Sequence, residues 1–292
     1  MNVDIVNDFF LIKKIMNNGY EKSVCKIEIE NKNQEEEIDN LMGTGFFCKI
    51  PSINKIFFIT CHHNLEKKYE ELKKLILKFD YLTKENWEKK IELDLEKERI
   101  KILNKEFDFI AIEILEDDNI HDYITADESS YNKSDFKNRK IFISHFPKDK
   151  EKNNNLRLQF SLGKVNGQSQ SNCMLMYSGW TSNGTAGAPI LTVDKQELIA
   201  IHKGSYTKYN FEKLGVGYPM HLIIQKIKEE FDKKMGGKKD EEKADEIKDI
   251  EKEANKDNGE EKTNEDKSEV KIEKEESYDP DQTIWNGNQQ EN

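Results

Sequence analysis

The chain has 292 residues, a formal net charge of −11 at pH 7, and as many charged as hydrophobic residues, 35% of each. That length suggests one or two domains, and no apolar run approaches the roughly 18 residues a membrane span needs. The acidic balance argues against nucleic acid as a partner, because phosphates would be repelled.

The charge is uneven. Residues 238–292 carry 20 Asp+Glu and 10 Lys, so this tail holds −10 of the net charge. Its apolar residues are few (Ile247, Ile250, Val270, Ile272, Ile284, Trp285), too few to offset chain entropy, and disorder is expected over 236–292. The tail reads as a solubilising segment or, around Tyr278–Trp285 where aromatics return, as a docking segment.

The N-terminus, Met1–Gly19, carries Asp4 and Asp8 and lacks the basic start, apolar block and small-residue cleavage site of a secretion signal. An intracellular, cytoplasmic location is therefore expected, with Cys25, Cys48, Cys61 and Cys173 as reduced thiols without metal-ligand spacing. Cys48 and Cys61 could still face each other across a hairpin. Within the opening segment the apolar positions of Ile5–Met16 fit a helical face that Gly19 ends. Ser23–Ile29 alternates like a strand, and a charged loop covers 30–40.

Gly43–Ile50 and Lys55–Thr60 read as a hairpin turning around Pro51–Asn54. It delivers Thr60-Cys61-His62-His63-Asn64-Leu65. Imidazole suits proton transfer because it titrates near neutrality; taken alone, a His-His pair reads as a surface or metal-binding pair. Leu65–Leu82 has Leu72, Leu75, Ile76 and Phe79 near helical spacing and reads as a short helix and loop. Lys90–Leu95 and Arg99–Leu103 alternate as strands. They lead to Phe107–Ile114, in which Asp108 opens an apolar strand. Residues 116–137 are a polar crossover.

Lys140–Pro147, Leu156–Phe160, Gly163–Val165 and Met174–Tyr177 continue as strands. Ser182-Asn183-Gly184-Thr185-Ala186-Gly187-Ala188-Pro189-Ile190 follows. Two glycines and a proline mark a tight turn between strands. A turn that aims backbone N–H groups inward is what an oxyanion hole needs. Leu198–Gly204 and Gly215–Pro219 are the last strands, and Ile223–Phe231 a closing helix.

Three motifs in this order carry a resemblance: Phe-Ile-Thr-x-x-His ending at His63, the strand-opening Asp108, and the glycine-proline loop around Ala186. Over roughly residues 20–235 the chain resembles trypsin-like serine peptidases of the chymotrypsin superfamily, in particular the intracellular, disulfide-poor branch with its glutamyl endopeptidase-like members. The resemblance implies a mostly-β fold of two six-stranded antiparallel barrels (about 20–116 and 138–220) with short N-terminal (1–19) and C-terminal (221–235) helices. It also implies His63 as general base, Asp108 as the group that orients it, and the N–H groups of Gly184 and Ala186 as oxyanion donors. Position 186 is that of the nucleophile.

The departures are as informative. Ala186 has no nucleophilic atom, and Thr185, one residue early, is expected to face away from His63. Trp180 stands where trypsin has the acid of its primary pocket. His202 falls where the family places a pocket histidine in enzymes that prefer Glu or Gln, with Trp180, Gly204 and Gly215 beside it; read alone, His202 is a buried, backbone-bonded histidine. The expectation is a fold for peptide-bond hydrolysis that is inactive as written, as a natural pseudoprotease or through a serine changed to trap substrate. The alternative is a peptide-binding or scaffold module that uses the cleft and acidic tail. The implied partner is an extended peptide or protein, and no cofactor or metal is called for.

Overall fold

The structure, a computed structural model, describes residues 19–28, 43–66, 69, 72–80, 88–128, 136–147, 157–169, 173–207 and 213–235. The N-terminal helix expected over Ile5–Met16, the charged loop and the acidic tail lie outside these residues. The described residues are mostly β, in the two-sheet arrangement of a chymotrypsin-like fold.

The first sheet is built from β1 (Val24–Glu28), β2 (Gly43–Ile50), β3 (Lys55–Cys61), β4 (Lys74–Asp80), β5 (Glu88–Asp94), β6 (Lys101–Asn104), β7 (Phe109–Glu113) and the short β8 (Ile124–Thr125). Its order is β5-β4-β1-β2-β3-β7-β6, with β8 parallel to β2. It thus has eight strands where six were expected: the segment after His63 contributes β4 and the crossover contributes β8. The second sheet is a closed six-stranded barrel in the order β10-β11-β14-β13-β12-β9. Its strands are β9 (Lys140–His145), β10 (Gln159–Gln168), β11 (Leu175–Gly179), β12 (Pro189–Thr192), β13 (Leu198–Thr207) and β14 (Lys213–Pro219). One helix, α1, spans 220–235.

One local expectation fails. The spacing of Leu72, Leu75, Ile76 and Phe79 suggests a helix after His63, but β4 occupies Lys74–Asp80. Leu75, Leu77 and Phe79 also have period two, and all three are buried. Hydrogen-bonded neighbours on both sides, β1 and β5, decide between the two periods; an apolar run this short fits either.

The largest core cluster joins the two sheets. Phe46, Ile59, Phe109 and Ala111 from the first meet Phe142, Leu191, Ile201 and Tyr218 from the second. Helix α1 adds Met220, Ile223, Ile224 and Ile227, a spacing of i, i+3, i+4, i+7 that turns one face inward. Full burial of each isoleucine contributes roughly 2–3 kcal/mol. The far end of β7 is held by Arg99, whose guanidinium has no exposed surface; it donates to the Glu113 carbonyl and to both carboxylate oxygens of Asp118. This fixes the strand that Asp108 precedes, so the near end of β7 is delivered to the seam between the sheets.

Candidate active site

The antiparallel pairing of β3 with β7 sets Cys61 opposite Phe109. The residues just past the end of β3 therefore meet the residue just before β7. His62 and His63 lie in a single 3-10 turn, His62–Asn64. The His62 N–H donates to the Asp108 carbonyl and the His63 N–H to Asp108 Oδ1, each at 3.0 Å. His63 Nδ1 then stands 2.8 Å from Asp108 Oδ2. Asp108 has φ 48°, a left-handed conformation costly for a residue with a Cβ. Three bonds to one short turn hold it there.

The electrostatics of the pair are unequal. Burial opposes the Asp108 charge, but the hydrogen bonds from the His63 ring and N–H, together with Lys203, hold its carboxyl below the usual aspartate range. Lys203 Nζ is 3.8 Å from the oxygen that faces His63 and 4.9 Å from the centre of the Tyr218 ring. The Asp108 side chain is 10% exposed and that of His63 43%. One member of the pair is thus enclosed and the other open to solvent.

The loop from Ser182 to Pro189 is fastened to the first sheet by its carbonyls. The Ala186 carbonyl accepts from the Thr44 N–H and from Asn64 Nδ2, both at 2.9 Å. The Thr44 hydroxyl donates to the Gly184 carbonyl at 2.9 Å. On the barrel side, the Gly187 N–H donates to the His202 carbonyl and the His202 N–H to the Ala188 carbonyl. Gly184 and Gly187 have φ 88° and 89°, a region glycine enters without steric cost. With the carbonyls turned to these partners, the N–H groups of Gly184 and Ala186 donate to no acceptor among the described residues.

Asn64 links the two halves of this arrangement, since Nδ2 also donates to the Thr60 hydroxyl at 3.0 Å. Asn64→Ala leaves buried acceptors with one donor fewer. It is expected to cost about 1–3 kcal/mol of stability, read as a lower denaturant midpoint. A midpoint equal to that of the parent chain would mean that water replaces both bonds.

Thr185 is committed elsewhere. Its fully buried hydroxyl accepts from the Ser182 N–H at 3.2 Å and lies 3.2 Å from His145 Nδ1, whose Nε2 is 2.9 Å from the Ser161 hydroxyl. His202 is also buried, with Nδ1 bonded to the Tyr177 hydroxyl; its Nε2 has no partner among the described residues. Gly215 is needed beneath this contact, because a Cβ there would overlap the Tyr177 ring. A Cβ on Gly204 would meet nothing within 4 Å. Trp180 is exposed, its ring centre 5.9 Å from that of His145. The next carbonyl, of Thr181, accepts from Lys213 Nζ at 3.4 Å.

The buried His145 and His202 imidazoles are held neutral. Burial takes the His145 ring down to about 4. Burial foremost, with repulsion from Lys213 and from His145 and His63 when they are protonated, takes His202 down to about 3. In the unfolded chain these rings gain protons near pH 6.5, so between that value and 3–4 the unfolded state binds more protons. Stability is then complete above about pH 6.5 and falls as pH drops, by up to about 1.4 kcal/mol per pH unit for each ring. Thermal midpoints measured from pH 7 to pH 4 should fall accordingly, and less steeply in His145→Gln. A flat profile would show that the rings are hydrated.

No protein-family model and no curated protein sequence matches the chain. Among solved structures it is similar to the protease domain of MamO from Magnetospirillum magneticum (apo form), with TM-score 0.46 and 11% identity over 70% of this chain and 96% of that one. It is also similar to a cysteine-to-alanine mutant of the Tobacco Etch Virus protease, with TM-score 0.43 and 13% identity over 69% and 75%. A third, the catalytically inactive Tobacco Etch Virus protease complexed with substrate, gives 0.42 and 12% over 69% and 79%.

Of the residues singled out in the sequence, the structure brings His63 together with Asp108, and His202 together with the carbonyl side of the Ala186 loop. Trp180 packs against the His145 ring. Cys48 does not face Cys61: the β2–β3 register pairs it with Phe57, and all four thiols are free. Thr44, Asn64, Tyr177 and Lys203 went unnoticed in the sequence. Asn64 adjoins His63, a position that invites inspection; the other three carry no local signal. No helix among the described residues is long and apolar enough to cross a membrane.

Proposed function

We propose that the chain is a peptidase of chymotrypsin-like build whose cleft holds an extended peptide across the His63–Asp108 pair, and that Ala186 leaves it without the nucleophile for hydrolysis. The observation that carries this reading is the 2.8 Å contact between His63 Nδ1 and Asp108 Oδ2, beside a loop whose Gly184 and Ala186 N–H groups have no internal acceptor among the described residues. Asp108 orients the ring through Nδ1, so that Nε2 is the atom free to take a proton. The two N–H groups suit a developing oxyanion. With serine at position 186, its oxygen would attack the peptide carbonyl and His63 would accept the proton.

His202 supports a primary pocket for a side chain with a carboxylate or amide head. Its ring is neutral, Tyr177 occupies Nδ1, and Nε2 is left to hydrogen-bond a ligand. Trp180, Gly204 and Gly215 complete the residues assigned to that pocket.

The second reading is a silent cleft that binds peptide by strand addition and serves as a scaffold, with the acidic tail as a further contact. It is favoured by the alanine itself. The test is a peptide library varied at the residue before the cut, assayed for cleavage with Ala186→Ser and for binding with the parent chain. Cleavage by Ala186→Ser, with preference for Glu or Gln, supports the first reading. Binding by both without cleavage by either supports the second, and neither binding nor cleavage overturns both.

A further inference from the structure

Cys61 takes no part in the reading above, yet it closes β3 directly behind the His63–Asp108 pair. It is 1% exposed, and its thiol has one weak acceptor, the His202 carbonyl at 3.3 Å. One ligand atom from each of Cys61, His63 and Asp108 lies within 4.8 Å of the other two. These are a sulfur, an imidazole nitrogen and a carboxylate oxygen, three different donors on one side of one turn.

We propose that Cys61, His63 and Asp108 form a binding site for a borderline-soft divalent transition-metal ion, Zn²⁺ foremost, and that the ion disables the His63–Asp108 pair when bound. The donor set is the argument for the metal. Thiolate and imidazole favour zinc, and a single carboxylate supplies no oxygen cage for Mg²⁺ or Ca²⁺. Bonds of about 2.0–2.3 Å around a tetrahedral ion put donor atoms roughly 3.3–3.7 Å apart, so the widest pair, up to 4.8 Å apart, must close by about 1 Å while His63 Nδ1 and Asp108 Oδ2, 2.8 Å apart, open slightly. The half-exposed His63 ring gives the ion a way in and has room to turn. A fourth position remains for water.

The protons balance as follows. The Cys61 S–H gives up its proton to solvent, and the thiolate binds the ion. The proton on His63 Nδ1 that faces Asp108 is released to solvent as the ion takes its place, and Nε2 takes up one proton from solvent, so the ring stays neutral as the other tautomer. Nε2 then no longer accepts a proton, which is the loss of base function. One thiolate and one carboxylate offset the charge of the ion. Lys203 stands 3.8 Å from Asp108, and its positive charge opposes that of the ion.

The site needs no peptidase activity, and its test uses the tag-free full chain with Ala186 in place. Co²⁺ is the probe, titrated under reducing conditions at pH 7.5. The expected result is one equivalent bound with a thiolate-to-cobalt charge-transfer band in the near ultraviolet, displaced by Zn²⁺ and unchanged in Cys173→Ser. Cys61→Ala should abolish the band, and His63→Ala or Asp108→Asn should weaken cobalt binding at least tenfold. No charge-transfer band, or one that survives Cys61→Ala, overturns the proposal. If Cys61→Ala does not fold, the exposed His63 decides: cobalt affinity unchanged in His63→Ala overturns it equally.

Discussion

On the proposed reading, Ala186→Ser is expected to give the chain peptidase activity, raising turnover of a suitable peptide by on the order of 10⁴–10⁶-fold. The expectation is large because that reading lacks only the nucleophile. Asp108 is already oriented by two backbone N–H groups and bonded to the His63 ring. The loop carrying position 186 is already tied to Thr44 and Asn64, so a serine hydroxyl enters without rebuilding the backbone. In the Ala186→Ser background, His63→Ala should return turnover to the parent level. Asp108→Asn should cost on the order of 10⁴-fold, because the ring loses the acceptor that selects its tautomer. Labelling of the new serine by a fluorophosphonate reports nucleophilicity without a matched substrate. An unlabelled, uncleaving Ala186→Ser protein with an intact fold would remove His63 and Asp108 from the role assigned to them.

Gly187→Ala is the substitution expected to do most damage to the fold at this site. A Cβ on Gly187 would overlap the Thr44 carbonyl oxygen and the Thr60 hydroxyl. Neither can withdraw easily: Thr44 sits in β2, and Thr60 is bonded both to the Thr44 carbonyl and to Asn64. The residue also has φ 89°, which alanine adopts only with strain. Steric overlap with backbone, strain and the loss of the Gly187 N–H bond to the His202 carbonyl act together. A loss of roughly 4 kcal/mol or more is expected, measured as a shift in denaturant midpoint against Gly204→Ala as control. At Gly204 the added methyl meets nothing. A loss below about 1 kcal/mol would mean that the loop does not pack on β2 in this way.

The role of His202 shows how a local reading and a tertiary one differ. The Ile-His-Lys-Gly strand was open to two meanings, a pocket residue or a buried, satisfied one. The ring is buried, and one nitrogen is satisfied by the Tyr177 hydroxyl rather than by backbone. The other nitrogen has no partner among the described residues. That division depends on Gly215 standing under the Tyr177 ring, a contact between strands well separated along the chain.

What the amino-acid sequence determined by itself was periodic and local. Alternating apolar residues marked β2, β3, β7 and β13, the spacing of isoleucines marked α1, and the glycines with Pro189 marked the loop at Ala186. The order His63, Asp108, Ala186 was legible because each residue sits beside a recognisable strand or turn. What only the tertiary structure decided was register and partner. Whether 74–80 became a strand depended on β1 and β5 lying on either side of it. Which residue met Asp108, whether Cys61 turned toward Cys48 or toward the His63–Asp108 pair, and what held the Ala186 carbonyl depended on how β3 paired with β7 and how the two sheets closed on each other. The physical reason is one of range. Backbone periodicity is set by neighbours a few residues apart, whereas a hydrogen bond from Asn64 to Ala186 spans 122 positions and exists only once the strands between them have chosen their pairings.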